Sequence, residues 1–166
     1  MSKIPHQNDP IGAAARKSKA SRRVGIGAKC ACGENRPLAL IPGSNPMICV
    51  ECRRLKEGRS IYDHHHIAGK ANHCLTIPVP ANDHRAILSE LQYGWSKAAR
   101  ENSSSSPLIA IAGCIRGVYD TIVYLLGKLL LWGAELLERL DAFLTSRLGA
   151  EWWRSAEYIA FMKESK

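Results

Sequence analysis

Apolar residues in the C-terminal part of the chain recur with helical spacing. Ile111, Ile115, Val118, Ile122, Leu126, Leu130, Leu137, Leu140, Leu144 and Leu148 follow one another mostly at intervals of three and four, which places them along one helix face. Ser106 has N-cap chemistry and Pro107 suits a first helical position, so the helical region is expected to begin there. Gly113, Gly117, Gly127 and Gly133 weaken the pattern and predict a break into two helices. The tail EWWRSAEYIAFMKESK reads as a last short helix. Upstream the period changes. SIYDHHHIA and LTIPVPA are strand-like, and Pro78 and Pro80 make the second strand short and an edge. DHRAILSELQYGW is helix-prone, with Ala86, Ile87, Leu91 and Tyr93 as the inward face. The coarse order is strand, loop, strand, helix.

Four regions follow. Residues 1–29 are polar, basic and rich in Gly, Ala and Ser, and are expected to be a disordered arm that lies along phosphates. Residues 30–99 hold the cysteines and most of the histidines, residues 100–106 are a serine-rich linker, and residues 107–166 form a helical C-terminal region. The formal net charge is +8, yet the last region carries seven Lys/Arg and seven Asp/Glu. The whole basic excess therefore lies before Pro107, which points to a polyanion partner for that half, nucleic acid ahead of anionic lipid. The N-terminus has no apolar run of signal-peptide length, so a cytoplasmic location is expected. In that reducing compartment six cysteines bind metal or stay free in preference to forming disulfides.

Leu108–Leu131 is long enough to span a bilayer, but Arg116, Asp120 and Lys128 interrupt it, at roughly +2.5–3.5 kcal/mol each at the bilayer centre. Stable membrane insertion is therefore not expected. The helices are read as core or as a surface for a second copy or another protein.

Cys30-x-Cys32 and Cys49-x-x-Cys52 supply four thiols in two tight pairs separated by a loop, the arrangement a tetrahedral structural Zn²⁺ requires. Four thiolates leave no open position, so this site would be structural. Cys74 and Cys114 have no paired partner and read as free thiols.

Five of the six histidines, His64, His65, His66, His73 and His84, fall between residues 64 and 84. On an extended strand His64 and His66 share one face and His65 takes the other, so one can hold a metal while its neighbour faces a substrate. His84, at the start of the following helix, is close enough to complete a metal site.

His65-His66-Ile67-Ala68-Gly69-Lys70, Asn72, Thr76-Ile77-Pro78-Val79-Pro80, Asn82-Asp83-His84-Arg85 and Leu88-Ser89 with Gln92 and Trp95 resemble the HNH (ββα-metal) endonucleases, in a bacterial and phage-associated form that carries cysteine pairs upstream. The resemblance covers about residues 30–96 and implies an α+β fold: a small zinc-ribbon-like/ββα-metal module followed by a C-terminal helical segment. It implies a metal-dependent hydrolase of DNA phosphodiesters. His66 would be the general base, His65 and His84 the ligands of one divalent cation (Mg²⁺, Mn²⁺, Ni²⁺ or Zn²⁺), and Asn72, or else Asn82, would orient the base. Lys70 and Arg85 would neutralise phosphates. A register shifted by one, with His64 and His65 in these roles, also fits the triple histidine. Leu88 stands where this family often has a third ligand, and Asp63, Asp83 or water would replace it. The alternative is a non-catalytic, zinc-dependent nucleic-acid-binding or adaptor protein on the same scaffold.

Overall fold

The computed structural model of the chain describes residues 10–154. The fold divides into two compact units between Ile122 and Val123. In the first, helix α1 (Pro10–Val24) precedes a cysteine-bearing loop, helix α2 (Val50–Lys56), strand β1 (Tyr62–His66) and strand β2 (Thr76–Pro80). Helix α3 (residues 81–93) and the short helix α4 (Lys97–Glu101) follow, and helix α5 (Pro107–Leu148) runs on into the second unit.

β1 and β2 form a two-stranded antiparallel sheet in which Tyr62 faces Pro80, His64 faces Pro78 and His66 faces Thr76. Both strands are edges, which is why β2 tolerates two prolines that cannot donate to a ladder. The chain turns directly from Pro80 into α3, and Ala81 N–H is held by Ile61 C=O at 2.9 Å. Residues His84–Leu88 of α3 form a π turn closed by Ser89 N–H on His84 C=O. The extra residue of that turn rotates everything after it. Leu88 is therefore the fully buried residue, packed in the same core as Val79, Ala81 and Trp95. Of the inward set expected from a regular helix, Ala86, Ile87 and Leu91 are half-buried, and Tyr93 is exposed. Its ring lies between the guanidinium groups of Arg16 and Arg100, at 5.3 and 5.8 Å.

The N-terminal arm differs from expectation: residues 10–24 are helical. Ala-rich sequence favours the helix, and tertiary contacts select it. Arg16 pairs with both carboxylate oxygens of Glu90 (2.9 and 3.2 Å), and Val24 packs with Cys30, Leu40 and Cys49. Gly25, at φ +96°, ends the helix in the left-handed conformation that glycine adopts without strain. Lys19, Arg22 and Arg23 remain exposed.

α5 is also unlike its expected form, since it is one unbroken helix of 42 residues. Ser106 caps it, with its hydroxyl accepting from Ile109 N–H at 3.5 Å. Gly113 and Gly117 are points of close approach instead of breaks. A Cβ at Gly113 would stand 2.6 Å from Asn72 Nδ2, and one at Gly117 would overlap the Ile67 carbonyl. One turn on, buried Asp120 accepts a 2.9 Å hydrogen bond from Trp95 Nε1. The apolar face of Ile111, Ile115, Val118 and Ile122, read as core or as a surface for another chain, is exposed.

In the second unit, residues 123–148 continue α5 with Val123, Leu126, Leu130 and Leu137 exposed. A 3₁₀ turn (Trp152–Arg154) follows, and Trp152 Nε1 donates to Asp141 Oδ1 at 2.9 Å. By length and composition α5 could cross a membrane, with mean hydropathy 1.6 in its most apolar stretch. Most of the short helix expected over residues 151–166 lies outside the described residues.

The two kinds of glycine in α5 make opposite predictions. Gly117→Ala should cost about 1–3 kcal/mol of stability, because the methyl group has nowhere to go. Gly127→Ala, which meets nothing within 4 Å, should be neutral or stabilise by up to about 1 kcal/mol. Denaturant melts of both variants check the contrast.

Candidate functional site

The cysteine site is assembled from two knuckles. At the first, Gly33 N–H bonds to Cys30 C=O and Cys30 N–H to Glu34 C=O, both at 2.9 Å, and Gly33 turns the chain at φ +100°. At the second, Cys49 is the N-cap of α2 and its sulfur accepts from Cys52 N–H at 3.4 Å. Backbone bonds Ile41 N–H to Ile48 C=O and Val50 N–H to Ala39 C=O, both 3.0 Å, fold the intervening loop so that the knuckles meet. The four sulfurs lie within 4.8 Å of one another, with Cys32 and Cys49 at 3.7 Å. Sulfurs at the corners of a tetrahedron with metal bonds of about 2.3 Å stand roughly 3.8 Å apart, so the donor set fits a metal ion. Burial opposes ionisation of Cys30, but backbone hydrogen bonds from Cys32 and Cys49 and the thiols of Cys32 and Cys52 outweigh it and lower its pKa to about 6. Burial and the other three thiols push Cys52 the opposite way. Among the described residues this is the one group of three or more ligating side chains that converges. Cys74 is exposed and Cys114 half-buried, both outside it.

The histidines sit on the sheet as alternation requires. His65 is buried, His64 on the other face is exposed, and His66 is half-buried. His84, at the start of the π turn, brings its ring 5.2 Å from that of His65 in an edge-to-face contact. Burial, with the neighbouring imidazoles of His84 and His66, lowers the His65 pKa to about 4, so its ring is neutral at pH 7. That is the protonation state a metal ligand needs. His65 Nε2 lies 3.3 Å from Gln92 Nε2, which also donates to His66 C=O at 2.6 Å and Ile67 C=O at 3.2 Å. The Nδ1 atoms of His65 and His66 are buried and have no hydrogen-bond partner.

Asn72 does not reach the His66 ring. Its Nδ2 donates to Ala68 C=O (2.8 Å) and Ala99 C=O (2.6 Å), which pins the loop that follows His66 to α4. Lys70 and Arg85 are both exposed but line separate clefts, Lys70 beside Tyr93 and Arg100, Arg85 beside Arg53 and Arg59. Leu88, one helical turn beyond His84, is wholly buried and offers no donor.

Three consecutive residues play a part that sequence patterns did not assign. Asn82 exchanges hydrogen bonds with Glu51 of α2, N–H to Oε1 at 2.8 Å and Oδ1 from Glu51 N–H at 3.3 Å. Buried Asp83 pairs with Arg36 of the cysteine loop at 2.7 Å. His84 Nδ1 meets Asp63 Oδ2 at 3.1 Å, and Asp63 Oδ1 is held by Arg54 of α2 at 2.7 Å. The start of α3 is thus tied at each residue to the cysteine-bearing part of the chain or to a residue fastened to it. The only advance signal was a buried-helix start made of polar residues, with partners too distant in sequence to pair by eye.

No family model, curated protein or solved structure matches the chain.

Replacing any one of Cys30, Cys32, Cys49 or Cys52 by Ser should remove one bound metal ion per chain in elemental analysis, while Cys74→Ser keeps it. Arg36→Ala should cost about 1–3 kcal/mol in a denaturant melt, because it removes the charged hydrogen bonds that Arg36 gives to buried Asp83 and to Glu34. Asp83→Asn should cost less than Arg36→Ala.

Proposed function

We propose that this chain is a metal-dependent endonuclease of HNH type that hydrolyses DNA phosphodiesters, with a structural Zn²⁺ on Cys30, Cys32, Cys49 and Cys52. The observation that carries the reading is the ββα unit itself: His65 on its first strand and His84 at its helix start stand 5.2 Å apart, with His66 next to His65 on the opposite strand face. The four-sulfur set favours zinc over harder cations such as Mg²⁺ or Ca²⁺, which take oxygen ligands.

In this reading His66 takes a proton from water as the water oxygen bonds to phosphorus, and the P–O bond to the leaving sugar oxygen breaks, that oxygen taking a proton from solvent water. His65, neutral through burial, and His84, oriented by Asp63, are the two protein donors for a divalent cation. When bound, that cation supplies Lewis-acid stabilisation of charge on the phosphoryl oxygens. The partnerless Nδ1 of His65 accords with an unfilled donor role. Asn72 acts on His66 at a distance, by holding the loop that follows it. Lys70 and Arg85 supply charge toward the DNA backbone.

A specific observation favours the second reading, a non-catalytic zinc-dependent nucleic-acid-binding or adaptor protein. Leu88 fills the place of a third ligand, and Asp63, the acid hydrogen-bonded to His84, is already paired with Arg54.

Nicking of supercoiled plasmid with Mg²⁺, Mn²⁺, Ni²⁺ or Zn²⁺ decides between them. His66→Ala should lower turnover by about 10² to 10⁴, the usual contribution of a positioned base, with calorimetric metal binding unchanged. His84→Ala should remove both. Loss of metal with His66→Ala and retention with His65→Ala would move the base to the neighbouring histidine. DNA binding without cleavage under every cation would establish the second reading.

A further inference from the structure

The last turn of α2, the segment after it and the exposed side of α3 enclose a cleft of about 240 Å³ with an unusual wall. Arg53, Arg54, Arg59 and Arg85 line it, with Ile41 and Val50 as apolar floor and Glu57 as its acid. These guanidinium groups are not equivalent. Arg54 is committed to Asp63 at 2.7 Å and to Tyr62 C=O at 3.3 Å. Arg53 and Arg59 both reach Glu57, at 2.8 and 3.3 Å, so two cations share one carboxylate. Arg85 forms no ion pair among the described residues and is exposed. Three guanidinium groups thus stand against one carboxylate in a concave, solvent-open site.

We propose that this cleft binds a phosphate of a nucleic-acid backbone, held by Arg85, Arg59 and Arg53, with Glu57 displaced from one of its arginines on binding. Guanidinium forks bind phosphate and carboxylate alike, and two observations favour phosphate on a nucleic acid over an acidic peptide. The half of the chain that contains the cleft carries the whole net charge of +8, and α1 exposes Lys19, Arg22 and Arg23 on the same unit. Arg85 also directly follows His84, and Arg54 joins the cleft wall to Asp63 and so to His84. A strand seated on Arg85 would run beside the histidine pair. The identity of the polyanion as nucleic acid rests on the functional reading above, whereas the anion site rests on the cleft alone.

The test uses the full chain, zinc-loaded, and measures binding of a short fluorescent DNA duplex across a salt series without added divalent cation. Arg59→Gln/Arg85→Gln should weaken binding and flatten the plot of log K against log salt by about 0.9, the contribution of one neutralised phosphate. Glu57→Gln should tighten binding by releasing Arg53 and Arg59. Both sets of side chains are solvent-exposed, and unchanged melting midpoints and zinc content verify that the variants fold. An unchanged slope and affinity in the double variant overturns the cleft. So does a wild type that prefers polyglutamate to the duplex, with that preference lost in the double variant. Plasmid nicking in parallel separates the two ideas. A wild type that nicks, beside a double variant with an unaltered salt slope, removes the cleft and leaves the nuclease. A wild type that never nicks, with the slope flattened in the variant, does the reverse.

Discussion

The hydrogen-bonded chain Arg54–Asp63–His84 is the constraint on which the first unit depends. It joins a helix built on a cysteine knuckle, the first strand of the sheet and the start of the helix that follows the second strand. Each member is only partly solvent-exposed, with side-chain exposures of 16% for Arg54, 22% for Asp63 and 25% for His84, so the pairs are screened less than surface ion pairs. Asn82 and Asp83 repeat the arrangement two residues and one residue earlier, with Glu51 and Arg36 respectively. Because the helix start is held by three partners from three segments, neither the sheet nor the cysteine loop can shift without breaking a buried or half-buried polar contact. This explains how two strands of five residues, too few to be stable alone, hold a fixed geometry.

The same chain of contacts carries a tension at the histidine site. An acid that orients an imidazole would strengthen it as a metal ligand. Here that acid is also the partner of Arg54, which draws charge away from the imidazole. With Leu88 buried one turn later, the site offers two imidazoles and little anionic charge. A cation held there would keep most of its coordination sphere for other ligands, whereas four sulfurs would enclose an ion.

Much of this architecture could be read from local pattern. The paired cysteines announced a metal site because spacing and chemistry are both local, and the sheet followed from two apolar runs with prolines at an edge. What escaped were features decided by distant partners or by missing atoms. The π turn at His84–Leu88 changed which side of α3 is buried, and no periodicity assuming 3.6 residues per turn could locate that face. The arm folds because Glu90 and Tyr93 receive Arg16 from 74 residues away in the case of the carboxylate. The packed side of α5 was hidden for a different reason. A search for large apolar residues selects Ile111, Ile115 and Val118, but the contact is made where side chains are absent, at Gly113 and Gly117, and is completed by a charged residue, Asp120.

That glycine contact also sets how the chain can tolerate changes of length. Between Asn102 and Ser106 the chain turns through positive φ angles at Asn102 and Ser105, and the buried Asn102 side chain exchanges hydrogen bonds with the Ser106 backbone at 2.9 and 3.2 Å, which fixes the length of the turn. An extra residue between Pro107 and Gly113 would rotate the following helix by about 100° relative to its beginning. The Ala112 and Arg116 side chains would then be driven toward the carbonyls that now meet Gly113 and Gly117. The spacing of the helix start from these two glycines is thus as much a part of the fold's specification as the residues themselves.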